Sequence, residues 1–280
     1  MRADDRSRFP TRREALAAGL AATGLALGGR LRGADEPDSG PYGPFKMGLQ
    51  SYSLRNFKLH EAMTKTARDL GLHFWEAYPA HIPSDPTQAG HQREHAEEHG
   101  VRVVGYGVVH FSKDRDAARK IFEFGKAMGV RYFSADPDPD SFDVLDKMVE
   151  EYGIAVGIHN HGPGHRFATI DGIQTAIKDH HEKIGCCIDT GHFLRSGVDP
   201  VHAAEVFGQR IHGVHLKDVK DAKTFTVLGE GDLRTAALLR VLARQKYNDC
   251  LALEYEEKPE DPIADIQASL AAVREAIAQI

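Results

Sequence analysis

Four short apolar runs in the C-terminal half of this chain each end on residues that bind metals. That recurrence constrains the fold more than any other feature. The runs are 154–161 (IAVGIHNH), 184–192 (IGCCIDTGH), 211–218 (IHGVHLKD) and 250–254 (CLALE). An aliphatic run of this length, closed by His, Asp or Glu, has the pattern of a strand buried on both faces. In a parallel β/α barrel all strand C-termini open on one face, and active sites are built there. Four such ends converging would assemble a divalent-metal site from His159, Asp189, His215 and Glu254.

The rest of the chain repeats one phrase. Strand-like runs at 46–51, 73–78, 101–106 and 130–135 precede the four above. Between them, stretches at 59–70, 117–128, 142–152, 199–207 and 233–245 carry apolar residues near a 3.6 period. Gly71, Gly100, Gly129 and Gly153 each stand just ahead of a strand, where a helix ends in a left-handed residue and the chain turns. Helix, glycine and strand in repetition signal βα units on a parallel sheet. The 280 residues suffice for one large domain, since a β/α barrel takes roughly 250. An α/β fold, a (β/α)8 TIM barrel over 45–280, is therefore expected. An open doubly wound sheet is the alternative, but no glycine-rich dinucleotide fingerprint follows the first strand.

Residues 11–29 (TRREALAAGLAATGLALGG) place Arg12 and Arg13 before a run rich in Ala, Leu and Gly. The run is short for a bilayer core of ~30 Å, and the paired arginines give it the pattern of a twin-arginine export signal. An Ala-rich N-terminal helix is the plainer alternative. With the linker that carries Pro37, Pro41 and Pro44, residues 1–44 are expected to be leader and linker. The protein would then be periplasmic or exported, without stable membrane insertion. A net charge of −6 argues against a nucleic-acid partner, whose phosphates ask for a basic groove. Cys186, Cys187 and Cys250 lie among apolar neighbours at spacings that match no disulfide framework or zinc knuckle. They are expected as buried small hydrophobes.

Nine of the 16 histidines fall beyond residue 150, and the strand ends use them. His159 and His161 alternate on one strand, so both face one side with Asn160 opposite. One could ligate a metal while the other meets substrate; two structural histidines capping a barrel layer are the alternative. Asp189 closes an apolar strand, where an unpaired carboxylate is costly. His215 and Lys217 share a side, and Glu254 closes the last strand. Two imidazoles and two carboxylates suit Mn, Fe, Co, Zn or Ni. His91, His95 and His99 form a helical stripe, but Glu94, Glu97 and Glu98 beside them indicate a solvated outer helix. The acidic run 136–140 (DPDPD) is expected at the pocket rim or in a surface loop. Trp75 and Tyr78 offer a sugar-stacking surface, unless Trp75 is core.

The phrases at 48–55 (GLQSYSLR), 75–81 (WEAYPAH), 159–163 (HNHGP), 189–192 (DTGH), 215–218 (HLKD), 229–232 (GEGD) and 253–256 (LEYE) carry a resemblance. In this order they resemble the sugar phosphate isomerase/epimerase superfamily, the xylose isomerase-like barrels, over the whole of 45–280. The superfamily includes ketose epimerases, aldose–ketose isomerases, dehydratases of keto-polyols and apurinic-site endonucleases. The resemblance implies that Asp189, His215 and Glu254 hold one divalent metal, with Glu254 doubling as the acid/base beside a carbonyl. It further implies that His192 touches substrate hydroxyls and that Lys217 steadies a developing oxyanion. Glu76 and His81 would line the pocket.

This chain departs from the family pattern at His159, where many epimerases carry Glu. Epimerisation by two opposed carboxylates is thereby disfavoured, and one-base isomerisation or β-elimination gains. Glu254, with His159 or His161, would shuttle the proton. The expected function is a metal-dependent isomerase or epimerase acting on a sugar or keto-sugar through an enediolate. A lyase acting on a keto-sugar or 3-keto-glycoside is the alternative within the fold. A non-catalytic sugar-binding barrel is the alternative outside enzymology. An endonuclease-like phosphodiesterase would need further ligands and a basic channel. The GEG turn at 229–231 leaves a phosphate cradle open, and homo-oligomerisation is left open too.

Overall fold

The computed structural model describes residues 40–280, so Arg12, Arg13 and the rest of the expected leader up to residue 39 lie outside the described residues. The first half of the chain gives β1 (Lys46–Gln50), α1 (Leu59–Thr64), β2 (Phe74–Ala77), α2 (Ala89–Glu98), β3 (Arg102–Phe111), α3 (Arg115–Met128), β4 (Tyr132–Pro137) and α4 (Phe142–Tyr152). Next come β5 (Ala155–His159), α5 (Ile170–Ile177), β6 (Ile184–Asp189), α6 (Thr190–Arg195), α7 (Pro200–Phe207) and β7 (Ile211–Leu216). A short pair, β8 (Asp218–Lys220) and β9 (Thr224–Thr226), precedes α8 (Thr235–Arg244), β10 (Cys250–Leu253) and α9 (Ile263–Ile277).

The eight expected strands are all present, and they close into a parallel barrel. β10 completes the ring against β1, with Lys46 opposite Cys250 and Leu49 opposite Leu253. Closure leaves no sheet edge and sets every strand C-terminus on one rim. β8 and β9 form a separate antiparallel hairpin after β7 that the apolar pattern did not announce. Its strands have three residues each, too short for periodicity to register.

Local chemistry starts and stops the helices much as their sequence signals indicate. Asp114 caps α3 by accepting from the amides of Asp116 and Ala117, and Gly129 ends it at φ 83°. Gly153 ends α4 in the same way at φ 72°. The expected helix at 59–70 is α-helical only to Thr64 and continues as a π turn over Lys65–Asp69. α2 carries His91 and His95 on an outer helix and ends at the cap residue His99, with Glu94, Glu97 and Glu98 exposed. Between barrel and helices, Phe122 packs on Phe133 at 5.0 Å and Tyr106 on Phe124 at 4.8 Å. Trp75 is fully buried core, and the three cysteines are buried and free.

Inside the barrel the ring of Tyr132 occupies space that two glycines leave. A Cβ on Gly105 would come within 2.5 Å of that ring, and one on Gly213, whose φ is +108°, within 2.7 Å. Gly105→Ala should therefore lower stability by about 1–3 kcal/mol through overpacking, read as a shifted urea midpoint.

At the foot of β10, Asp249 accepts from Arg131 Nε at 3.0 Å and lies 3.9 Å from His212. Burial pushes its carboxyl up, but His212 and Arg131 outweigh that and hold it below the usual carboxylate range. A depressed folded pKa contributes stability that is present above the unfolded value of about 3.9 and lost as pH falls through the folded one. Asp249→Asn is thus expected to be less stable than wild type near neutrality. The two should converge in strong acid, as measured by urea melts along a pH series.

Candidate metal centre and active site

Each of the four candidate ligands comes from the end of its own strand. His159 closes β5, Asp189 closes β6, His215 lies one residue from the end of β7, and Glu254 follows β10. Their donor atoms all lie within 4.8 Å of one another, and all four residues are buried. His159 Nε2 is 3.1 Å from His215 Nδ1 and 3.4 Å from Asp189 Oδ2, while His215 Nδ1 is 3.0 Å from Glu254 Oε2.

The two carboxylates of this group divide their oxygens. Asp189 Oδ1 caps α6 by accepting from the His192 amide at 2.7 Å, which leaves Oδ2 for the cluster. Glu254 turns Oε2 to the cluster, and Oε1 makes no hydrogen bond among the described residues. Asn160, buried behind His159, ties the two strand ends together. It accepts from the Asp189 amide at 2.7 Å and donates to the Asp189 carbonyl at 2.8 Å.

Glu76 fixes the orientation of His215. Its carboxylate accepts from His215 Nε2 (2.8 Å), Ser134 (2.5 Å), Tyr132 (2.6 Å) and Gln50 (2.9 Å), and the residue is fully buried. Because the carboxylate takes the Nε2 proton, Nδ1 is the nitrogen His215 presents to the cluster. The expected pocket-lining place of Glu76 is therefore corrected: its oxygens are occupied behind the site. Burial alone would push the Glu76 carboxyl up, but His215, Ser134 and Tyr132 bring it down. Glu76→Gln should weaken metal binding about 10–100-fold, as outer hydrogen-bond partners of ligating histidines do, measured by competition with a chelator.

The residues present fit a divalent cation. Asp189 Oδ2, Glu254 Oε2 and His159 Nδ1 are buried atoms without a well-aligned hydrogen bond. The two oxygens do have the Lys217 ammonium at 3.0 and 3.2 Å, so they are close to charge without being aligned to it. A carboxylate oxygen has two lone pairs and can serve an ammonium and a cation together. Lys217 also pairs with Glu256. Asp189, Glu254 and Glu256 thus share one lysine, Lys217, a surplus of negative charge that a divalent cation offsets.

Burial pushes the Asp189 carboxyl up, but Lys217 and the neighbouring imidazoles hold it well below the usual carboxylate range. Glu254, by the same balance with Lys217 and His215, is brought down to about 2. Lys217 is held charged against burial by Asp189, Glu254 and Glu256. Burial and the neighbouring histidines bring His161 down to about 3, so its imidazole is neutral.

A cavity of about 250 Å³ opens over the cluster. Of the expected residues, His159, His161, His192, His215, Lys217 and Glu254 line it. His81 does not: its ring stacks on Trp75 at 5.6 Å, and its nitrogens meet Ser51 Oγ (3.0 Å) and the Phe57 carbonyl (3.2 Å). The Ser51 hydroxyl also accepts the Tyr78 amide at 2.8 Å, so His81 supports the wall that Tyr78 forms. Tyr52, Gly107, Val108 and Glu256 are lining residues that the sequence did not single out. Tyr52 and Glu256 did have a signal, since they lie within the 48–55 and 253–256 phrases.

Two other candidates are resolved by their partners. Asp136, His161 and His165 come together at the rim with metal-like spacing. The Phe167 amide donates to His165 Nδ1 at 3.2 Å, which puts the proton on Nε2 toward Asp136 and removes that ligand. Arg166 neutralises Asp136 at 2.8 Å. The GEG turn does not cradle a phosphate: the Gly229 and Gly231 amides donate to Asp218 Oδ2 at 2.9 and 3.2 Å.

The family described as xylose isomerase-like TIM barrel matches residues 65–276. This chain belongs to that family. Among curated relatives, an inosose dehydratase of Clostridium beijerinckii is 22% identical to this xylose isomerase-like barrel over 260 residues, 80% of this chain and 86% of the relative. The rhizopine catabolism protein MocC of Rhizobium meliloti is 30% identical over 135 residues, 42% of this chain and 41% of its own. Among solved structures, a D-tagatose 3-epimerase-like protein superposes with TM-score 0.68 at 19% identity, covering 84% of this chain and 98% of the other. The IOLI protein with a bound zinc atom gives 0.68 at 16%, with 84% and 99% covered. At these identities the solved structures bear on the fold. The family places this xylose isomerase-like barrel among enzymes. No helix among the described residues is long and apolar enough to cross a membrane.

Proposed function

We propose that this barrel is a divalent-metal-dependent enzyme that removes a proton from the carbon beside the carbonyl of a polyhydroxy ketone or aldehyde, giving an enediolate. The observation that carries this is the buried cluster of His159, Asp189, His215 and Glu254 at the strand ends, opening on a cavity of sugar size. Those four residues would hold the cation, which when bound supplies Lewis acidity toward a carbonyl oxygen.

The chain's own groups do the rest. Glu254 is ionised at any working pH, and its Oε1 is free to accept the proton. A carboxylate of such low pKa is a weak base, so it serves only where the carbon acid has been strengthened. Lys217 donates to negative oxygen and never accepts a proton at working pH. Tyr52, Tyr78 and Val108 wall the cavity and limit water.

Return of the proton to the neighbouring carbon gives isomerisation, and return to the same carbon from the opposite face gives epimerisation. Dehydration is a second reading with its own support. The inosose dehydratase relative covers most of both chains, and the position of a second carboxylate base is held by His159. In that reading the proton that Glu254 takes from carbon passes to the departing hydroxyl, which leaves as water, because His161 is neutral. Incubation of the metal-loaded protein with ketoses, inososes and 3-keto-glycosides in D₂O tests the common step. Deuterium in recovered substrate or isomer supports it, and loss of water from product selects the lyase. No exchange with any such carbonyl compound under any divalent ion would reject it and leave a sugar-binding barrel.

The leader pattern at 11–29 supports export through the twin-arginine route, with 45–280 as the working domain. Fractionation of cells expressing the chain with Arg12 and Arg13 replaced by lysine tests this: retention in the cytoplasm is the expected result.

A further inference from the structure

β6 runs directly into α6, and residues three apart on a helix face one another, so His192 and Arg195 meet on one side of it. Arg195 Nη1 lies 3.3 Å from His192 Nδ1. A guanidinium carries donors only and stays charged. Nδ1 must then be the acceptor, and the imidazole proton sits on Nε2. A proton on Nδ1 would set N–H against N–H.

The pair is held in place. Arg195 lies over the Phe225 ring, from β9, at 5.1 Å, and that ring packs T-shaped on His192 with centroids 5.7 Å apart. On the other side a Cβ at Gly162 would come within 3.5 Å of Arg195 Nη1 and 3.8 Å of His192 Nδ1. Arg195 has no carboxylate partner among the described residues; His192 and Phe225 are what it touches. His192 lines the cavity, and its Nε2 has no hydrogen-bond partner among the described residues.

We propose that Arg195 locks His192 in the Nε2–H form and so makes it an obligate hydrogen-bond donor to a substrate oxygen in the cavity. The substrate in that statement rests on the function proposed above; the proton's position does not. His215 shows the opposite polarity. There a carboxylate takes the Nε2 proton and turns the other nitrogen toward the cluster. Here a guanidinium occupies the lone pair and turns an N–H toward the cavity. One imidazole is set to hold a cation, and the other is unable to ligate one or to accept a proton through Nε2. Arg195 acts as a positioning residue, and the β8–β9 hairpin that carries Phe225 keeps it in register.

The test is a two-bond ¹⁵N–¹H correlation spectrum of the ¹⁵N-histidine-labelled, zinc-loaded protein, with His192 assigned through His192→Asn. The expected wild-type pattern has Nε2 protonated and Nδ1 bare. Arg195→Ala should move the pattern toward the Nδ1–H form and lower kcat/KM by about tenfold, the worth of one hydrogen bond to the substrate. Arg195→Lys still donates and should keep both the pattern and most of the activity. A wild-type His192 protonated on Nδ1, or an Arg195→Ala pattern unchanged from wild type, overturns the proposal. The wild-type spectrum is decisive even if Arg195→Ala does not fold. Because it needs no substrate, its failure is distinct from an absence of proton exchange.

Discussion

Asp189→Asn is expected to abolish divalent-ion binding at the strand-end cluster while leaving the barrel folded. The two oxygens of Asp189 have separate tasks: Oδ1 caps α6 through the His192 amide, and Oδ2 faces the cluster. Asparagine keeps a cap acceptor, at a cost of no more than about 1 kcal/mol, but offers the cation no charge. Elemental analysis should show metal in wild type and little in the variant. Losing Lewis acidity worth several kcal/mol should lower proton exchange by about 10³-fold or more. Asp189→Ala loses both tasks, so it should match the activity loss and melt lower as well. Metal retained in Asp189→Asn with full exchange would place the cation elsewhere.

Glu254→Gln should cost nearly as much in turnover and far less in binding. Oε2 of Glu254 lies in the cluster and Oε1 has no hydrogen-bond partner among the described residues, so one side chain is set to steady a cation and to take a proton. The amide oxygen of glutamine can still ligate weakly, whereas no part of the amide accepts a proton at neutral pH. A fall in kcat of about 10²–10⁴-fold is expected, with sugar binding by calorimetry within a few-fold of wild type. Retention of full exchange would remove Glu254 as the acid/base and shift that role to an imidazole.

The contrast between Glu254 and Glu76 shows where a residue's type stops predicting its use. Both are buried acidic residues at strand ends on the same rim. Glu254 leaves an oxygen free for chemistry, and Glu76 has both oxygens taken by Tyr132, Ser134, Gln50 and His215. His81 likewise sits in the motif that announces the site, yet it supports Tyr78 from behind. A linear motif reports that a residue is near the rim. Which way its polar atoms face depends on partners that other strands supply.

The amino-acid sequence by itself determined the eight βα repeats, the closed parallel barrel and the candidate ligands His159, Asp189, His215 and Glu254. Strand periodicity, helix-ending glycines and strand-terminal polar residues are local properties, and parallel closure brings all strand ends to one rim whatever fills the interior. The tertiary structure alone decided the supporting layer. His215 meets Glu76 across 139 positions of chain, Tyr132 meets Glu76 across 56, and Lys217 reaches Glu256 across 39. The β8–β9 hairpin, too short to show a period, brings Phe225 onto Arg195 and His192. Hydrogen bonding to a buried polar group is a demand that any nearby donor can meet. Which donor meets it is set by the fold that brings the two together.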